Sequence, residues 1–186
     1  MDDKAVVNKR FRSSRMFLTN NIETPRLLIR SWRDCDKEFT LSLWGDKENG
    51  KYMSDPSHEH IDDEYLRCVD KMENSPDGYY MLIELKNDGS RVGTCCVFPD
   101  GDRYDIGYCI AKSHWREGLG SEMLETLIRW IKADGGRSIT GEVANDNEAS
   151  VALLRKYGFN EDRKSIFKKW GEETCFDATI FKLELS

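Results

Sequence analysis

Alternating apolar and polar positions predict a series of short strands along the chain. The pattern is clear in seven runs, which cover residues 26–32, 79–85, 91–98, 104–110, 138–143, 165–169 and 175–183. Asn87-Asp88-Gly89 lies between the second and third runs and is a strong hairpin signal. Pro99-Asp100-Gly101 turns the chain again before the fourth run. The middle three strands are therefore expected to form an antiparallel meander.

Apolar residues that recur three and four positions apart predict four helices between these strands. Asp34 is expected to cap the first helix, and the second covers residues 62–72. The third covers residues 121–133, and the fourth runs from the possible caps Asn145 and Asn147 to residue 156. The order β-α-α-β-β-β-α-β-α-β-β predicts a mixed α/β (α+β) fold. It would have one mixed, largely antiparallel sheet of about seven strands, with helices on both faces.

Composition and charge narrow the class of protein. A chain of 186 residues with 39% hydrophobic residues favours one domain, placed at residues 21–186 after an extension over residues 1–20. The net charge of −6 argues against wrapping of nucleic acid or an anionic membrane, so neither is expected as a partner. No apolar run approaches the roughly 20 residues of a membrane span, and the charged N-terminus is unlike a secretion signal.

The cysteines and histidines do not indicate a metal site. Six cysteines without C-x-x-C spacing are expected to stay reduced, which favours a cytoplasmic location. His58-Glu59-His60 has no third ligand at metal spacing, and Cys109 is expected to be a small core residue rather than a nucleophile. The sequence therefore predicts a protein without a metal.

The most informative segment covers residues 106–122, where a strand leads through a short loop directly into a strong helix. Gly118 and Gly120 let the loop turn tightly and bring several backbone N–H groups to one point. The helix that follows adds about half a positive charge at that point. These features predict an anion site of the phosphate-cradling type. No Lys-Ser/Thr follows the second glycine, which excludes a nucleotide-hydrolysing P-loop, and the mid-chain position does not suit a dinucleotide fold.

A second informative segment covers residues 143–159. It predicts a capped amphipathic helix in which Asn147 and Ser150 are three residues apart, and hence on one face of the helix start. A carboxamide and a hydroxyl are then directed toward whatever lies beyond the end of the preceding strand.

Together with Glu23-Thr24-Pro25-Arg26-Leu27-Leu28-Ile29-Arg30 at the first strand, these segments carry a family resemblance. The chain resembles the GCN5-related N-acetyltransferase (GNAT) superfamily, and within it the branch typified by ribosomal-protein N-terminal acetyltransferases. The likeness covers about residues 22–186. It implies the GNAT fold, in which the predicted strands 4 and 5, at residues 104–110 and 138–143, splay apart. It also implies acetyl-CoA as the cosubstrate.

The resemblance also implies which residues bind acetyl-CoA. The superfamily pattern Gln/Arg-x-x-Gly-x-Gly/Ala binds the pyrophosphate, and here Gly118 and Gly120 fill the glycine positions while Trp115 takes the Gln/Arg position, as is usual in the ribosomal-protein branch. Main-chain groups of the strand would pair with the pantetheine arm, which Asn147 would also touch. The implied binding residues are Cys109, Ile110, Arg116, Glu117, Gly118, Leu119, Gly120, Ser121 and Asn147.

The catalytic groups are assigned from the chemistry that acetyl transfer needs. A lysine-like amine needs about 4–5 kcal/mol to lose its proton at neutral pH, whereas an α-amine needs only about 1–2 kcal/mol. A carboxylate near the splay is therefore a sufficient base, and Asp105 is the leading candidate before Glu84 and Glu142. Many members of the superfamily place a tyrosine proton donor where this chain has Leu154. The ribosomal-protein branch uses a serine at the position of Ser150, which is the expected donor here.

The sequence thus predicts an acetyl-CoA-dependent N-acetyltransferase that acts as a monomer or homodimer. It transfers the acetyl group directly, in a ternary complex, to a primary amine that is either a protein N-terminus or a small molecule. Leu154 in the donor position leaves open a catalytically silent acyl-CoA sensor of the same fold. A nucleotide-binding regulator is a third possibility, which would require ATP or NAD to compete for the glycine loop.

Overall fold

A single eight-stranded sheet forms the centre of the protein. The structure, a computed structural model, describes residues 15–186. The strands are β1 (Ile22–Glu23), β2 (Leu27–Ser31), β3 (Tyr79–Leu85), β4 (Arg91–Asp100), β5 (Arg103–Ile110), β6 (Ser138–Ala144), β7 (Asn160–Lys168) and β8 (Cys175–Glu184). Their order in the sheet is β1-β2-β3-β4-β5-β6-β8-β7. The pair β5–β6 is parallel, and the other pairs are antiparallel.

Within residues 15–186, four α-helices surround this sheet. They are α1 (Lys37–Trp44), α2 (Asp63–Val69), α3 (Leu119–Ala133) and α4 (Glu148–Lys156). Short 3₁₀ turns precede α1 at Asp34–Asp36 and follow α2 at Met72–Asn74, so the helix predicted over residues 62–72 is shorter than expected. The predicted mixed, largely antiparallel sheet is confirmed, with eight strands instead of about seven, because the two-residue β1 pairs with β2.

The two faces of the sheet carry different clusters of apolar side chains. On one face, residues of β2 to β5 pack against the apolar stripe of α3, whose buried positions include Met123, Leu124, Leu127 and Ile131. On the other face lies a smaller cluster of Trp32, Tyr65, Val69 and Met72, which brings in α2. Tyr80 of β3 packs against this smaller cluster while its neighbours Tyr79 and Met81 pack in the main cluster, because side chains alternate along a strand. Helices therefore cover both faces, as predicted.

The sheet splits between β5 and β6. The two strands pair only from Arg103↔Ser138 to Asp105↔Thr140, although β5 continues to Ile110 and β6 to Ala144. The last five residues of β5 therefore have a partner on the β4 side alone. This split confirms the splay expected between residues 104–110 and 138–143.

Residues 1–14 of the predicted N-terminal extension (residues 1–20) lie outside the described residues. Of the remainder, Met16 donates its backbone N–H to the Ser75 carbonyl (2.7 Å), and Leu18 donates to Ser31 Oγ (2.8 Å). This short stretch is thus attached to the body of the protein. Within residues 15–186, no helix has the length and apolar character that crossing a membrane requires.

Candidate functional site

A deep cleft opens where β5 and β6 part. Its volume is about 1210 Å³, which exceeds the roughly 300–1,000 Å³ of ordinary ligand pockets. It is lined by the free part of β5, the end of β6, the loop before α3, the start of α4 and the loop that follows α1. The cleft therefore has room for an extended cofactor together with a second molecule.

The loop before α3 gathers backbone N–H groups at one end of the cleft. Arg116 and Gly118 have positive φ angles of 64° and 79°, and Gly118 is the N-cap of the 15-residue helix α3. Alternation of right- and left-handed residues makes successive N–H groups converge. Within residues 15–186, the N–H groups of Leu119, Gly120 and Ser121 have no acceptor. Together with the helix dipole they form a site for an anion.

A clamp from the first strands holds this loop in place. Arg26 donates from Nε to Glu122 Oε2 (2.6 Å) and from Nη1 to the Glu117 carbonyl (2.8 Å). Glu122 also accepts hydrogen bonds from the Arg26 backbone N–H (2.9 Å) and from the Thr24 hydroxyl. The sequence Thr24-Pro25-Arg26 thus has a structural function, because it fixes the first turn of α3 and the loop that precedes it.

Polar side chains add to the electrostatics of this loop. Lys156 at the end of α4 places its Nζ 3.1 Å from Ser121 Oγ, which brings a mobile positive charge to the N–H groups. The His114 ring contacts Glu117 Oε2 at 3.2 Å. Trp115 is 47% exposed and donates its indole N–H to the Ile110 carbonyl (2.6 Å). Trp115 therefore braces the loop against β5.

The free edge of β5 presents main-chain groups to the cleft. Ala111 donates to the Val92 carbonyl of β4 (2.8 Å), and the groups that point to β4 alternate along the strand. The main chain of Cys109 therefore turns toward its partner Thr94 in β4, whereas the main-chain groups of Tyr108 and Ile110 face the cleft. Of the two residues expected to pair with a ligand through their main chain, Ile110 faces the cleft and Cys109 faces β4. Tyr108 is the second residue whose main-chain groups face the cleft.

The start of α4 lies across the cleft from this edge. The Asn147 carboxamide oxygen accepts the Ser150 N–H (3.2 Å), so Asn147 caps the helix, and both side chains line the cleft. Leu154, at the position where the family resemblance would place a tyrosine donor, is fully buried in the main core.

Tyr108 carries an unusual phenol group that sequence reasoning missed. Its hydroxyl is the only buried side-chain N or O atom of residues 15–186 without a hydrogen-bond partner, and the residue lines the cleft. Burial raises the pKa of Tyr108, and the nearby Ser150 side chain lowers it in part, although the two hydroxyls make no hydrogen bond. The only available signal was its position on β5, one residue before Cys109. The result is a neutral phenol that keeps its proton.

Asp105 lies at the base of the split, on the opposite face of β5 from Tyr108. Thr140 donates its hydroxyl to Asp105 Oδ1 (2.6 Å) across the last paired position of β5 and β6. Asp105 is exposed as a whole residue, but partial desolvation of its carboxyl group raises the pKa of Asp105, and Glu142 raises it further, against the opposing effects of Thr140 and Arg163. Asp105 does not line the cleft itself, so it would reach a ligand there through an intervening molecule.

The two lesser carboxylate candidates differ in position. Glu142 lines the cleft and accepts a hydrogen bond from Ser165. Glu84 instead accepts from Arg30 (2.7 Å) and lies away from the cleft.

The thiols in the cleft are protonated. Burial raises the pKa of Cys96 and Cys109 to about 12 each, and no disulfide joins any of the six cysteines. Since a thiolate is the nucleophilic form, these side chains act as small core residues. Residues 15–186 contain no cluster of His, Cys, Asp and Glu that could hold a metal ion.

Comparisons with known proteins agree with this geometry. A family profile described as an acetyltransferase (GNAT) domain matches residues 26–160. The uncharacterized N-acetyltransferase YoaA of Bacillus subtilis is 26% identical over 168 residues, which cover 87% of this chain and 95% of YoaA.

Two solved structures illustrate the shared fold. A spermidine N-acetyltransferase from Vibrio cholerae, in complex with CoA and spermine, has a TM-score of 0.72 at 14% identity, with coverage of 87% of this chain and 96% of that one. The ribosomal-protein-S5-alanine acetyltransferase from Vibrio fischeri has a TM-score of 0.68 at 16% identity and covers 89% and 96%. At these identities the likeness is one of fold.

Proposed function

The chain belongs to the GNAT acetyltransferase family and is an acyltransferase, and on that premise we propose that it transfers the acetyl group of acetyl-CoA directly to a primary amine. Both substrates bind in the cleft at once. The observation that carries the proposal is the split between β5 and β6, where a free strand edge and the N-terminal N–H groups of α3 line one cavity.

Acetyl-CoA fits the extended shape of this cleft. Its diphosphate would accept hydrogen bonds from the N–H groups of residues 116–121, with Lys156 as an additional cation. Its pantetheine arm would extend the sheet along β5 by pairing with the main chain of Tyr108 and the N–H of Ile110. The Asn147 carboxamide would contact the same arm. The thioester then lies near the base of the split.

Asp105 is the proposed base for the acceptor amine. Since it does not line the cleft, a water molecule would carry the proton from the amine to its carboxylate. Because the pKa of Asp105 is raised, it lies closer to neutral pH, and a general base works best when its pKa is near the working pH. The amine nitrogen forms a bond to the acetyl carbon, the C–S bond breaks, and the nitrogen proton leaves toward Asp105.

The thiolate of CoA takes its proton from the opposite side of β5. Ser150 is the proposed donor, and Tyr108, whose buried phenol lies beside Ser150, supplies or relays the proton. This pair would replace the tyrosine that many relatives have at the position of Leu154.

The acceptor is a protein N-terminus or a small amine. Trp115 in the loop and Ser150 in α4 are features of the ribosomal-protein branch and favour an N-terminal acceptor. The Vibrio cholerae relative is instead named for spermidine, a small amine. The unpaired cysteines favour a reducing compartment such as the cytoplasm.

A catalytically silent acyl-CoA sensor is the second candidate. It is favoured by Leu154, which fills the usual donor position with a fully buried apolar side chain. A sensor would bind acetyl-CoA and release no CoA thiol with any amine.

The test combines calorimetry with an acceptor screen. Titration of CoA should give a single binding isotherm, and thiol release from acetyl-CoA should follow with N-terminal peptides, polyamines or simple primary amines. Lys156→Ala removes about 1 kcal/mol of phosphate interaction and should weaken CoA binding about fivefold. Lys168→Ala, which removes the pair with Glu173 in the β7–β8 hairpin and does not touch the loop before α3, is the matched control. Absence of CoA binding would refute the function, and binding without thiol release would favour the sensor.

A further inference from the structure

A carboxylate outside the proposed donor site lies half-buried in the same cleft. Asp55 belongs to the loop between α1 and α2, and Tyr65 donates its hydroxyl to Asp55 Oδ1 (2.6 Å). Among residues 15–186 this is the only hydrogen bond from another residue's side chain to the Asp55 carboxylate. Burial raises the pKa of Asp55, although Tyr65 and Lys169 act in the opposite direction. The carboxylate thus retains capacity for another donor.

The backbone around Asp55 is held by the turn between β7 and β8. Lys169 is 8% exposed and donates its Nζ to the carbonyls of Gly50 (2.9 Å) and Asp55 (2.7 Å). Trp170 donates its N–H to the Ser54 carbonyl (2.8 Å). The Lys169 ammonium thus donates to backbone carbonyl groups and not to the Asp55 carboxylate. Because these bonds fix the loop, the Asp55 carboxylate has a defined position.

Aromatic side chains surround this part of the cleft. Trp44, Tyr65, Tyr80 and Phe98 line it, and the rings of Tyr80 and Phe98 pack edge to face with centroids 5.5 Å apart. Aromatic faces stabilise a nearby ammonium group as well as an apolar chain. The walls are therefore suited to an amine with an apolar body.

Asp55 also lies close to the strand that would hold the thioester. Burial is the main cause of the raised pKa of the Cys96 and Cys109 thiols, and Asp55 adds to it in both cases. Cys109 Sγ donates to the Asn49 carbonyl (3.7 Å) in the same α1–α2 loop as Asp55, and Asp55, Cys96 and Cys109 all line the cleft. The carboxylate is thus on the α1–α2 side of the same strand segment.

We propose that Asp55 forms the acceptor subsite, where its carboxylate first binds a primary amine as the ammonium while the apolar or aromatic body packs on Trp44, Tyr80 and Phe98. The ammonium then gives its proton through water to Asp105, the base proposed above, and the neutral nitrogen attacks the acetyl carbon. This inference rests on the proposed acetyl transfer. One carboxylate among aromatic rings suits a monoamine better than a polyamine, since a second ammonium would need its own partner. A small amine and a peptide N-terminus share this chemistry.

The test measures acetyl transfer with four acceptors: 2-phenylethylamine, n-butylamine, spermidine and a peptide amide with a free apolar N-terminal residue. We expect transfer to the monoamines or the peptide, and a lower kcat/KM for spermidine. Asp55→Asn keeps the shape and the acceptor for Tyr65 but removes the charge. It should raise KM for the amine about 10- to 100-fold, since a charged hydrogen bond is lost, with CoA affinity changed less than about twofold.

Asp63→Asn, an exposed charge in the first turn of α2, is the control and should leave both constants unchanged. Wild-type KM in Asp55→Asn, or preference for spermidine, would overturn the inference while leaving acetyl transfer intact. Loss of CoA binding and transfer in the wild type would refute the proposed function instead. A crystal of the unmodified protein with CoA and n-butylamine decides the case if the variant does not fold, because an amine nitrogen bound away from Asp55 would contradict the subsite.

Discussion

Some functional residues of this site can be predicted from the sequence, and others cannot. Gly118 can be predicted, because a glycine before an amphipathic helix indicates a tight turn, and its φ of 79° is the conformation that favours glycine. Tyr108 cannot, because its chemistry depends on a neighbour from another element: its phenol lies beside Ser150 of α4 and has no hydrogen-bond partner among the described residues. Only tertiary packing reveals that pair.

The proposed role of Tyr108 in supplying or relaying the proton can be tested by removing one oxygen atom. Tyr108→Phe keeps the ring in the core and should lower kcat about 100-fold, the low end of the usual effect of losing an acid catalyst, because Ser150 remains. CoA affinity should change little. Because burial raises the pKa of Tyr108, the phenol stays protonated when the pH rises past the usual tyrosine pKa of about 10. The wild-type kcat should therefore show no loss at that pH.

Tyr104→Phe is the matched control for this measurement. Tyr104 lies on the same strand and face, but its hydroxyl donates to Asp134 (2.7 Å) outside the cleft. This variant should lose about 1 kcal/mol of stability and keep its kcat. An unchanged kcat in Tyr108→Phe would remove the phenol from the mechanism and leave Ser150 as the donor.

The attachment of α1 to the sheet shows why element boundaries were harder to predict than elements. The sequence indicated Asp34 as the cap of the helix, whereas a 3₁₀ turn comes first and Asp36 is the buried residue. Arg30 of β2 donates to both Asp36 oxygens (2.7 and 2.9 Å) and to Glu84 of β3 (2.7 Å). A charge network across two strands and a turn leaves no local pattern in the sequence.

Removing the carboxylate of Asp36 should strongly destabilise the protein. Asp36→Asn leaves Arg30 only partly paired, and breaking a buried ion pair costs about 3–5 kcal/mol. Burial is the largest single effect and raises the pKa of Asp36, but the hydrogen bonds from Arg30 and the Arg33 backbone and the charges of Arg30 and Arg91 together outweigh it, so the pKa lies below its usual value. The stabilisation is therefore complete above the unfolded pKa of about 3.9 and is lost as the pH falls through the lower pKa of the folded state.

Urea unfolding at neutral pH and in acid measures this effect. The difference between wild type and Asp36→Asn should be large at pH 7 and should shrink below about pH 4. Asp34→Asn, an exposed carboxylate two residues away, should change stability by no more than about 0.5 kcal/mol. A difference that is small at pH 7, or that does not depend on pH, would show that the network contributes little.

For the molecule as a whole, the sequence predicts the sheet and the glycine loop better than the acceptor side of the cleft. Alternation within strands and glycines before a helix are local signals, so the meander and the start of α3 were predicted close to their positions. Asp55 instead depends on Lys169, which lies more than a hundred residues later in the chain and holds its loop. No periodicity connects two such segments.

The split sheet also predicts how the whole protein responds to its donor. CoA would contact β5, α3 and α4. Because β5 and β6 pair over only three residues, these elements contact one another mainly through side chains of the main core. At 100 times its dissociation constant, CoA should stabilise the fold by about 2.7 kcal/mol. Hydrogen exchange should slow most at the N–H groups of residues 116–121 and of Tyr108 and Ile110. It should be unchanged where residues 27–29 of β2 pair with residues 83–85 of β3, since that part of the sheet does not line the cleft. Protection spread evenly over the sheet, with none at residues 116–121, would mean that CoA does not bind along the split.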